Sequence, residues 1–210
     1  MKYCIVEIIT QTATFRNPEF QNFHKTLYLP PPSTIVGLTG AALGLSNKQS
    51  YEFFQSNKIR IGVYGESNGI TKDLWKYKKS KGERSIINKE ILFKNEFFIL
   101  FVSEDDKIID QIENSFKYPI YALTMGNSDS LAFIKKIHIG NIDKFNESLK
   151  LEYCLAEGDI IKECLNNVQN GLEFSIYNTS DPIVYDLPVL FNFESDYGVR
   201  SISKRKTFSF

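Results

Sequence analysis

The chain has 210 residues, of which 25 are lysine or arginine and 25 are aspartate or glutamate, so no overall positive field attracts nucleic acid or an anionic membrane. Three cysteines and two histidines without metal-ligand spacing argue against a zinc site, and no apolar run reaches the roughly 20 residues of a membrane-spanning helix. Free cysteines and a strand pattern that begins at residue 2 predict a compact cytoplasmic protein.

Residues 2–10 have the pattern of a central strand. Cys4, Val6 and Ile8 would lie on one face of this strand, and Tyr3 and Ile5 on the other. Apolar side chains on both faces are typical of a strand that is covered on both sides.

Residues 30–45, PPPSTIVGLTGAALGL, predict a helix buried on all sides, because it contains no charged side chain. Consecutive prolines bar the helix before them, so we expect it to begin where Ser33 or Thr34 supplies a capping oxygen. One helical face carries only small residues, namely Gly37, Gly40, Ala41 and Gly44. Since each glycine costs about 1 kcal/mol relative to alanine in a helix, this face indicates the close approach of another backbone, of protein or of nucleic acid.

Two strands and a second helix follow. Ile59, Ile61 and Val63 alternate with other residues and predict a strand, and residues 97–102 predict the next one, with residues 65–90 as an interruption between them. The acidic residues 104–106 predict the start of a helix that ends before Pro119.

The remaining pattern predicts strands and turns. Residues 120–124 predict a strand, 126–129 a turn and 131–139 a returning strand. In chain order the elements give the ferredoxin-like α+β arrangement βαββαβ, which RNA-recognition modules share. We assign residues 1–140 to this domain and residues 141–210 to a C-terminal extension. Within the extension we predict a helix at 159–168 that stops at Gly171, and strands at 172–176, 183–193 and 199–210.

Several motifs resemble those of a known family. TFRNP (residues 14–18), TLYL (26–29) and the segment 30–45 together resemble the N-terminal signature of the CRISPR-associated protein family five (Cas 5). YALTMGNSD (121–129) resembles a turn of that family, and LPVLF (187–191) resembles its late Leu-Pro strand. The resemblance implies a ferredoxin-like body of the repeat-associated (RAMP) superfamily, with a β-hairpin thumb inserted at about residues 65–95.

The segment KDLWKYKKSKGER (72–84) mixes basic and aromatic residues, including the only tryptophan. This mixture is typical of single-stranded RNA binding, in which cations neutralise phosphates and aromatic rings stack on bases. The candidate RNA-binding residues of the segment are Trp75, Lys76, Tyr77, Lys78, Lys79, Lys81 and Arg84. The alternative is a solvated hairpin that Trp75 anchors.

Two further positions are candidates for RNA contact. The segment RSISKRK (200–206) contains no acidic residue, and its Arg200, Lys204 and Arg205 are candidates for contact with guide RNA or a partner subunit. Charged strand edges also prevent aggregation, so a structural role is the alternative for this cluster. The family resemblance places Ser128, in the turn at 126–129, near the guide RNA; otherwise this is a turn whose polar groups satisfy one another.

The loop at residues 14–29 allows two uses. In the first, Arg16 and Lys25 bind phosphates while the aromatic side chains pack the loop. In the second, His24, Lys25 and Tyr28 form a metal-independent ribonuclease, in which a base deprotonates a 2′-hydroxyl and the lysine stabilises the phosphorane. Nothing in the sequence shows that these groups converge.

The family resemblance implies a non-catalytic subunit of a type I CRISPR surveillance complex (Cascade), of subtype I-B, that binds the 5′ handle of the guide RNA (crRNA) in antiviral defence. The implied partners are the Cas 7 backbone subunit, a Cas 8-type large subunit and, indirectly, target DNA, with a separate Cas 6 endonuclease that makes the handle. We expect no cofactor, metal or membrane partner. The alternatives are a repeat-processing endoribonuclease and a scaffold that does not touch RNA.

Overall fold

The computed structural model describes residues 1–17, 20, 23–78, 84–148, 150–151, 155–157, 174–179, 191–192, 199–201 and 206–207. The helices are α1 (Pro32–Leu43), α2 (Asn47–Ser56) and α3 (Asp106–Lys117). The longer strands are β1 (Lys2–Ala13), β4 (Arg60–Lys78), β5 (Arg84–Val102), β6 (Phe133–Ser148) and β9 (Phe174–Thr179). The short ones are β2 (Phe15–Arg16), β3 (Thr26–Leu27), β7 (Lys150–Leu151), β8 (Leu155–Glu157), β10 (Phe191–Asn192), β11 (Val199–Ser201) and β12 (Lys206–Thr207).

A mixed α and β architecture is built on one six-stranded sheet, in the order β10-β4-β5-β1-β6-β9. All of its neighbouring strands are antiparallel. The helices α1 and α2 connect β1 to β4, and α3 connects β5 to β6, so each helical connection passes over a strand that lies between the two it joins.

The core lies between one face of this sheet and the helices. Val6 and Ile8 of β1 and Ile99 of β5 are buried there, together with Ile35 of α1 and Ile112 of α3. On the other face, Tyr3, Ile5, Leu100 and Val102 form a smaller buried cluster. The expectation that β1 is covered on both faces is therefore confirmed for its first half.

The helix α1 begins earlier than the sequence predicted. Its N-cap is Pro31, Pro32 occupies the first turn, and no side chain caps it, so the prediction of a Ser33 or Thr34 cap is wrong. The physical reason is that Pro32 already has a helical φ and no N–H that needs an acceptor. The helix ends at Leu43, and its C-cap residue, Gly44, has a φ of 74°.

The small-residue face of α1 packs against protein. A Cβ built on Gly40 would lie 2.0 Å from Ser50 Oγ, so this glycine lets α2 approach closely. Gly37 is exposed, with nothing within 4 Å of its built Cβ, so the prediction of burial on all sides is wrong at that position. The lack of charged side chains in this helix does not require every position to be buried, because glycine and other small uncharged residues can also be exposed.

The sequence reasoning missed α2, although a signal was present. Ser46 caps this helix by accepting from the N–H of Gln49, and Gln49 Oε1 accepts in return from the N–H of Ser46, 3.0 Å away. This reciprocal arrangement is a capping box, and the S-x-x-Q spacing at 46–49 encodes it.

Residues 120–124 were predicted to be a strand, and that prediction is wrong. Only an isolated bridge joins Thr124 to Leu131. The N–H groups of Ile120 and Tyr121 instead donate to the carbonyl oxygens of Ala42 and Ala41, at 3.0 and 3.1 Å. These bonds give donor partners to carbonyls in the last turn of α1, where the helix itself leaves carbonyl groups unsatisfied; the Ala41 carbonyl also accepts from the N–H of Gly44 at 3.3 Å.

Other predicted elements are shifted or lie outside the described residues. The strands predicted at 59–63 and 97–102 are parts of two continuous 19-residue strands, so the interruption at 65–90 is an extension of both. In the C-terminal part, β9, β10, β11 and β12 fall within or beside the predicted strand regions. The predicted helix at 159–168 and its stop at Gly171 lie outside the described residues.

Candidate nucleic-acid interface

The hairpin formed by β4 and β5 extends beyond the rest of the sheet. Its cross-strand pairs run from Arg60 and Val102 to Lys78 and Arg84. The neighbouring strand β1 stops pairing with β5 at Ala13, opposite Leu92. From Leu92 toward Arg84, the β5 edge is therefore free of β1.

The loop that follows β1 folds back along β5 and forms hydrogen bonds with part of that edge. The N–H of His24 donates to the carbonyl of Asn88 and the N–H of Glu90 donates to the carbonyl of His24, each at 2.9 Å. These two bonds form a parallel bridge between His24 and Lys89. Backbone groups at a sheet edge need such partners, which explains why the loop docks here.

Side chains fix the loop in this position. Glu90 Oε2 accepts from the N–H of Thr26 at 3.2 Å, and Thr14 Oγ1 donates to the carbonyl of Glu90 at 3.0 Å. Thr26 Oγ1 also accepts from the N–H of Phe15 at 2.8 Å. The loop is thus hydrogen-bonded to the hairpin through Thr14 and Thr26, on either side of His24.

A cluster of one aromatic ring and two basic groups lies at this junction. The Lys89 ammonium is 4.9 Å from the centroid of the Trp75 ring, and the centroids of the His24 and Trp75 rings are 6.2 Å apart. Trp75 is 49 % exposed, whereas Lys89 is only 6 % exposed. We call His24, Trp75 and Lys89 the junction cluster.

The surroundings of the junction cluster disfavour the protonated, positively charged forms of Lys89 and His24. Burial lowers the pKa of Lys89, although the carboxylates of Asp129 and Asp73 oppose this effect. The pKa of His24 lies below its ordinary value because of burial and because of the positive charges of Arg16 and Lys89. Lys89 forms no ion pair with any residue that the structure describes, and an incoming anion would stabilise such a desolvated ammonium.

Two more cations lie over aromatic rings near the cluster. The Lys25 ammonium is 5.0 Å from the Phe20 ring centroid, and the Lys72 ammonium is 5.8 Å from that of Phe23. Cations and aromatic rings therefore alternate from the loop onto the hairpin, and these are the two residue types that grip single-stranded nucleic acid.

The turn at 126–129 packs next to the start of the loop. The N–H of Thr14 donates to the carbonyl of Met125 at 3.4 Å, and Ser130 N–H donates to the carbonyl of Asn127 at 3.1 Å. Gly126 has a φ of 90°, and a Cβ there would lie 1.8 Å from the Thr14 carbonyl oxygen. Only glycine fits, and the turn that was predicted at this position is confirmed. Ser128 is exposed in it.

Apart from Lys25 and Ser128, whose places are given above, the predicted RNA-binding residues fall into three groups. Arg16, Trp75, Lys76 and Arg84 are exposed on or near the hairpin. Tyr77 and Lys78 end β4, and Arg200 lies in β11. Lys79, Lys81, Lys204 and Arg205 lie outside the described residues.

The three side chains of the nuclease alternative have different neighbours. His24 lies against Trp75, Lys25 lies over Phe20, and Tyr28 is exposed. Among the described residues, no hydrogen bond or ion pair joins the side chains of His24, Lys25 and Tyr28. The basic residue that pairs with His24, through the parallel bridge, is Lys89, which was not predicted from the sequence. Its neighbours in sequence are mainly apolar or acidic, so no basic cluster indicates it as a candidate. Only the register of the hairpin brings it next to Trp75.

The described residues contain no cluster of three or more histidine, cysteine or acidic side chains that could hold a metal ion. In the same part of the chain, no helix has the length and apolar character needed to cross a membrane.

The chain is similar to known proteins in sequence and in fold. A family model for CRISPR-associated protein (Cas 5) matches residues 5–202. A chain of a CRISPR RNA-guided surveillance complex aligns with a TM-score of 0.55 and 10 % identity, over 97 % of this chain and 90 % of that one. A Cas protein aligns with a TM-score of 0.46 and 12 % identity, over 96 % and 95 % of the two chains. A CRISPR protein from Archaeoglobus fulgidus gives 0.43 and 13 %, over 76 % and 67 %. No curated protein sequence matches the chain significantly.

Proposed function

The chain belongs to the Cas 5 family of CRISPR-associated proteins, and we propose that it is the non-catalytic subunit of a type I surveillance complex that binds the 5′ handle of the guide RNA. The observation that carries this proposal is the junction cluster, where a half-exposed Trp75 ring lies over a desolvated Lys89 ammonium. The ring can stack on an unpaired base while the ammonium and Arg16 attract the neighbouring phosphates.

The sheet order supports the finer description of the fold. Ignoring the outer strands, the order β4-β5-β1-β6 with helical connections from β1 to β4 and from β5 to β6 is that of a ferredoxin-like domain. The projecting end of the β4–β5 hairpin would then be the thumb, which separates the handle from the spacer. The division at residues 140 and 141 stays a prediction.

The partners follow from the family and remain part of the proposal. We expect the Cas 7 backbone subunit and a Cas 8-type large subunit to contact this chain in a complex of subtype I-B in the cytoplasm, and we expect target DNA to meet it only through the assembled complex. Arg200, Lys204 and Arg205 remain candidates for guide RNA or subunit contacts.

The hairpin offers a matched test. In the assembled complex, Trp75→Ala removes the proposed stacking platform, whereas Leu74→Ala removes the neighbouring side chain, which is more exposed, at 69 %. A stacked base contributes about 1–3 kcal/mol, so Trp75→Ala should weaken binding of the guide's 5′ handle about 5- to 150-fold. Leu74→Ala should have little effect. The measurement is fluorescence anisotropy with an oligonucleotide copy of the handle, and equal losses in both variants would contradict stacking.

One observation favours repeat cleavage as a second candidate function. The lowered pKa of His24 leaves a neutral imidazole, which can act as a base, beside Lys89. Incubating the purified protein with repeat RNA in EDTA tests this alternative. A discrete cut that disappears with His24→Ala would establish the nuclease and refute the non-catalytic proposal.

A further inference from the structure

Glu90 is a carboxylate among basic residues of the hairpin. It lies opposite Lys72 in β4 and directly follows Lys89 of the junction cluster in β5. A negative charge at an RNA site repels phosphates and by itself lowers the affinity for RNA. The hydrogen bonds of Glu90 indicate why a carboxylate is nevertheless useful at this position.

Three groups of Glu90 bind the loop at residues 14–29. Its N–H donates to the carbonyl of His24 at 2.9 Å, and its carbonyl accepts from Thr14 Oγ1 at 3.0 Å. Its Oε2 accepts from the N–H of Thr26 at 3.2 Å. The first two bonds use the backbone of Glu90 and are available to almost any residue at this position. The bond to Thr26 is therefore the one that depends on the glutamate side chain.

The carboxylate of Glu90 is not the counter-ion of a neighbouring cation. Among the described residues it forms no ion pair. The ammonium of Lys72, its cross-strand partner, lies 5.8 Å from the centroid of the Phe23 ring instead. A charged acceptor makes a stronger hydrogen bond than a neutral one, so the bond to the N–H of Thr26 is the main contribution of this side chain.

Thr26 links this contact to two candidate phosphate-binding residues. It pairs with Arg16 in the small ribbon formed by β2 and β3, and it directly follows Lys25. On its other side, Thr26 Oγ1 accepts from the N–H of Phe15, whose side chain is buried in the core. The ribbon is thus held to the core through Phe15 and to the hairpin through Glu90, which fixes the backbone from which the two cationic side chains extend.

We propose that Glu90 is a positioning residue for RNA, whose carboxylate holds Thr26 so that Arg16 and Lys25 meet the phosphates without a rearrangement of the loop. This inference rests on the proposed function. A loop that must become ordered on binding lowers the affinity by the free energy of ordering, and a loop that is already held in place avoids this cost. Loss of the negative charge at Glu90 should therefore weaken the binding of a polyanion whenever the bond to Thr26 is lost with it.

Three substitutions separate position from charge in the same anisotropy measurement with the RNA handle. Glu90→Gln removes the charge but keeps an oxygen acceptor at the same reach, Glu90→Asp keeps the charge but is one methylene shorter, and Glu90→Ala removes both. Since a hydrogen bond to a charged group is lost, Glu90→Asp and Glu90→Ala should weaken binding by about 10- to 100-fold. Glu90→Gln should remain within about 5-fold of the wild type. Any other ranking of the three variants would overturn the proposal; an unchanged Glu90→Asp with a tighter Glu90→Ala would show that charge alone decides.

The salt dependence of binding gives a second measure. Each phosphate contact on a single strand contributes about 0.7 to the slope of log K against log salt, so loss of the Arg16 and Lys25 contacts in Glu90→Ala should reduce this slope by up to about 1.4. A carboxylate that acts only by repulsion predicts no such reduction. Glu66→Ala, at an exposed carboxylate of the same hairpin, is the matched control and should leave the slope unchanged. An unchanged slope in Glu90→Ala would contradict the proposal.

Hydrogen exchange in the protein without RNA tests the positioning separately. The N–H of Thr26, followed by NMR, should exchange faster in Glu90→Ala and Glu90→Asp than in the wild type, and Glu90→Gln should restore slow exchange. The N–H of Val6, in the middle of β1, is the control for global unfolding and should exchange equally in all variants. Unchanged exchange at Thr26 would overturn the role of Glu90. Unchanged handle binding in Trp75→Ala would instead count against the proposed function, so the two failures are distinguishable.

Discussion

The substitutions Gly40→Ala and Gly37→Ala make the same chemical change on one helix and should have opposite effects on stability. At Gly40, the added Cβ would lie 2.0 Å from Ser50 Oγ and 2.9 Å from Ser50 Cβ. Ser50 is buried, and its hydroxyl donates to the carbonyl of Ser46 at 2.9 Å, so it has little room to move. The helices α1 and α2 would therefore have to separate.

The magnitude follows from two opposing terms. Overpacking a well-packed interface costs about 1–3 kcal/mol, whereas alanine gains about 1 kcal/mol over glycine in a helix. Gly40→Ala should thus lower the free energy of unfolding by about 1 kcal/mol. Gly37→Ala gains only the higher helix propensity of alanine, because nothing lies within 4 Å of the built Cβ. It should therefore raise the free energy of unfolding by up to about 1 kcal/mol.

Urea denaturation followed by far-ultraviolet circular dichroism measures both values, provided that the slope m is the same in the two variants. The two free energies should differ by about 2 kcal/mol. Equal stabilisation by both substitutions would show that α2 does not pack on Gly40, and the reasoning about the small-residue face would fail.

Three further results are expected. Lys89→Met removes a buried ammonium but keeps a long unbranched side chain, so the free energy of unfolding should be unchanged or slightly higher. The same substitution should weaken binding of the RNA handle and reduce the dependence of the log of the binding constant on the log of the salt concentration by about 0.7. A large loss of stability would contradict this. Because the pKa of His24 is below 6.5 in the fold, the unfolded chain binds more protons there, so stability should fall as pH drops below about 6.5, and His24→Gln should flatten that fall in urea melts at several pH values. Burial raises the pKa of Cys4 to about 12, so iodoacetamide should label it only after denaturation, as peptide mass spectrometry would show; rapid labelling of the native protein would refute its burial.

Local sequence signals predicted the elements whose stability is local. Alternating apolar residues identified the first strand, and the acidic start at 104–106 identified α3, whose Asp105 side chain caps it by accepting from the N–H of Lys107 at 2.9 Å. The turn at 126–129 was also predictable, since its glycine and polar residues act within a few positions of one another.

Features that depend on distant partners were not predictable. The segment 120–124 has the composition of a strand, but its N–H groups are used at the end of α1, which no local pattern reveals. Lys89 has no basic neighbours in sequence, and its place depends on a register that joins residues 73 and 89 and on the return of His24. The basic context of Trp75 made it a candidate from the sequence, whereas no local pattern indicated Lys89, whose ammonium lies 4.9 Å from its ring centroid.

A distortion of the sheet lies where the β4–β5 hairpin extends beyond β1. Leu92 and Phe97 are both in the core although five positions separate them, and so are Ile8 and Ala13, so the alternation of faces shifts by one residue in both β5 and β1. In β5 the shift coincides with Lys94, which has a φ of 48°. Asn95 next to it donates to the carbonyls of Thr10 in β1 and Leu92 in β5, while its buried Oδ1 has no hydrogen-bond partner. Beyond the same point the hairpin continues without β1 and presents Trp75. We therefore expect residues that maintain this distortion to set the position of the proposed RNA-binding hairpin, since strained backbone of this kind persists where the surrounding contacts determine it.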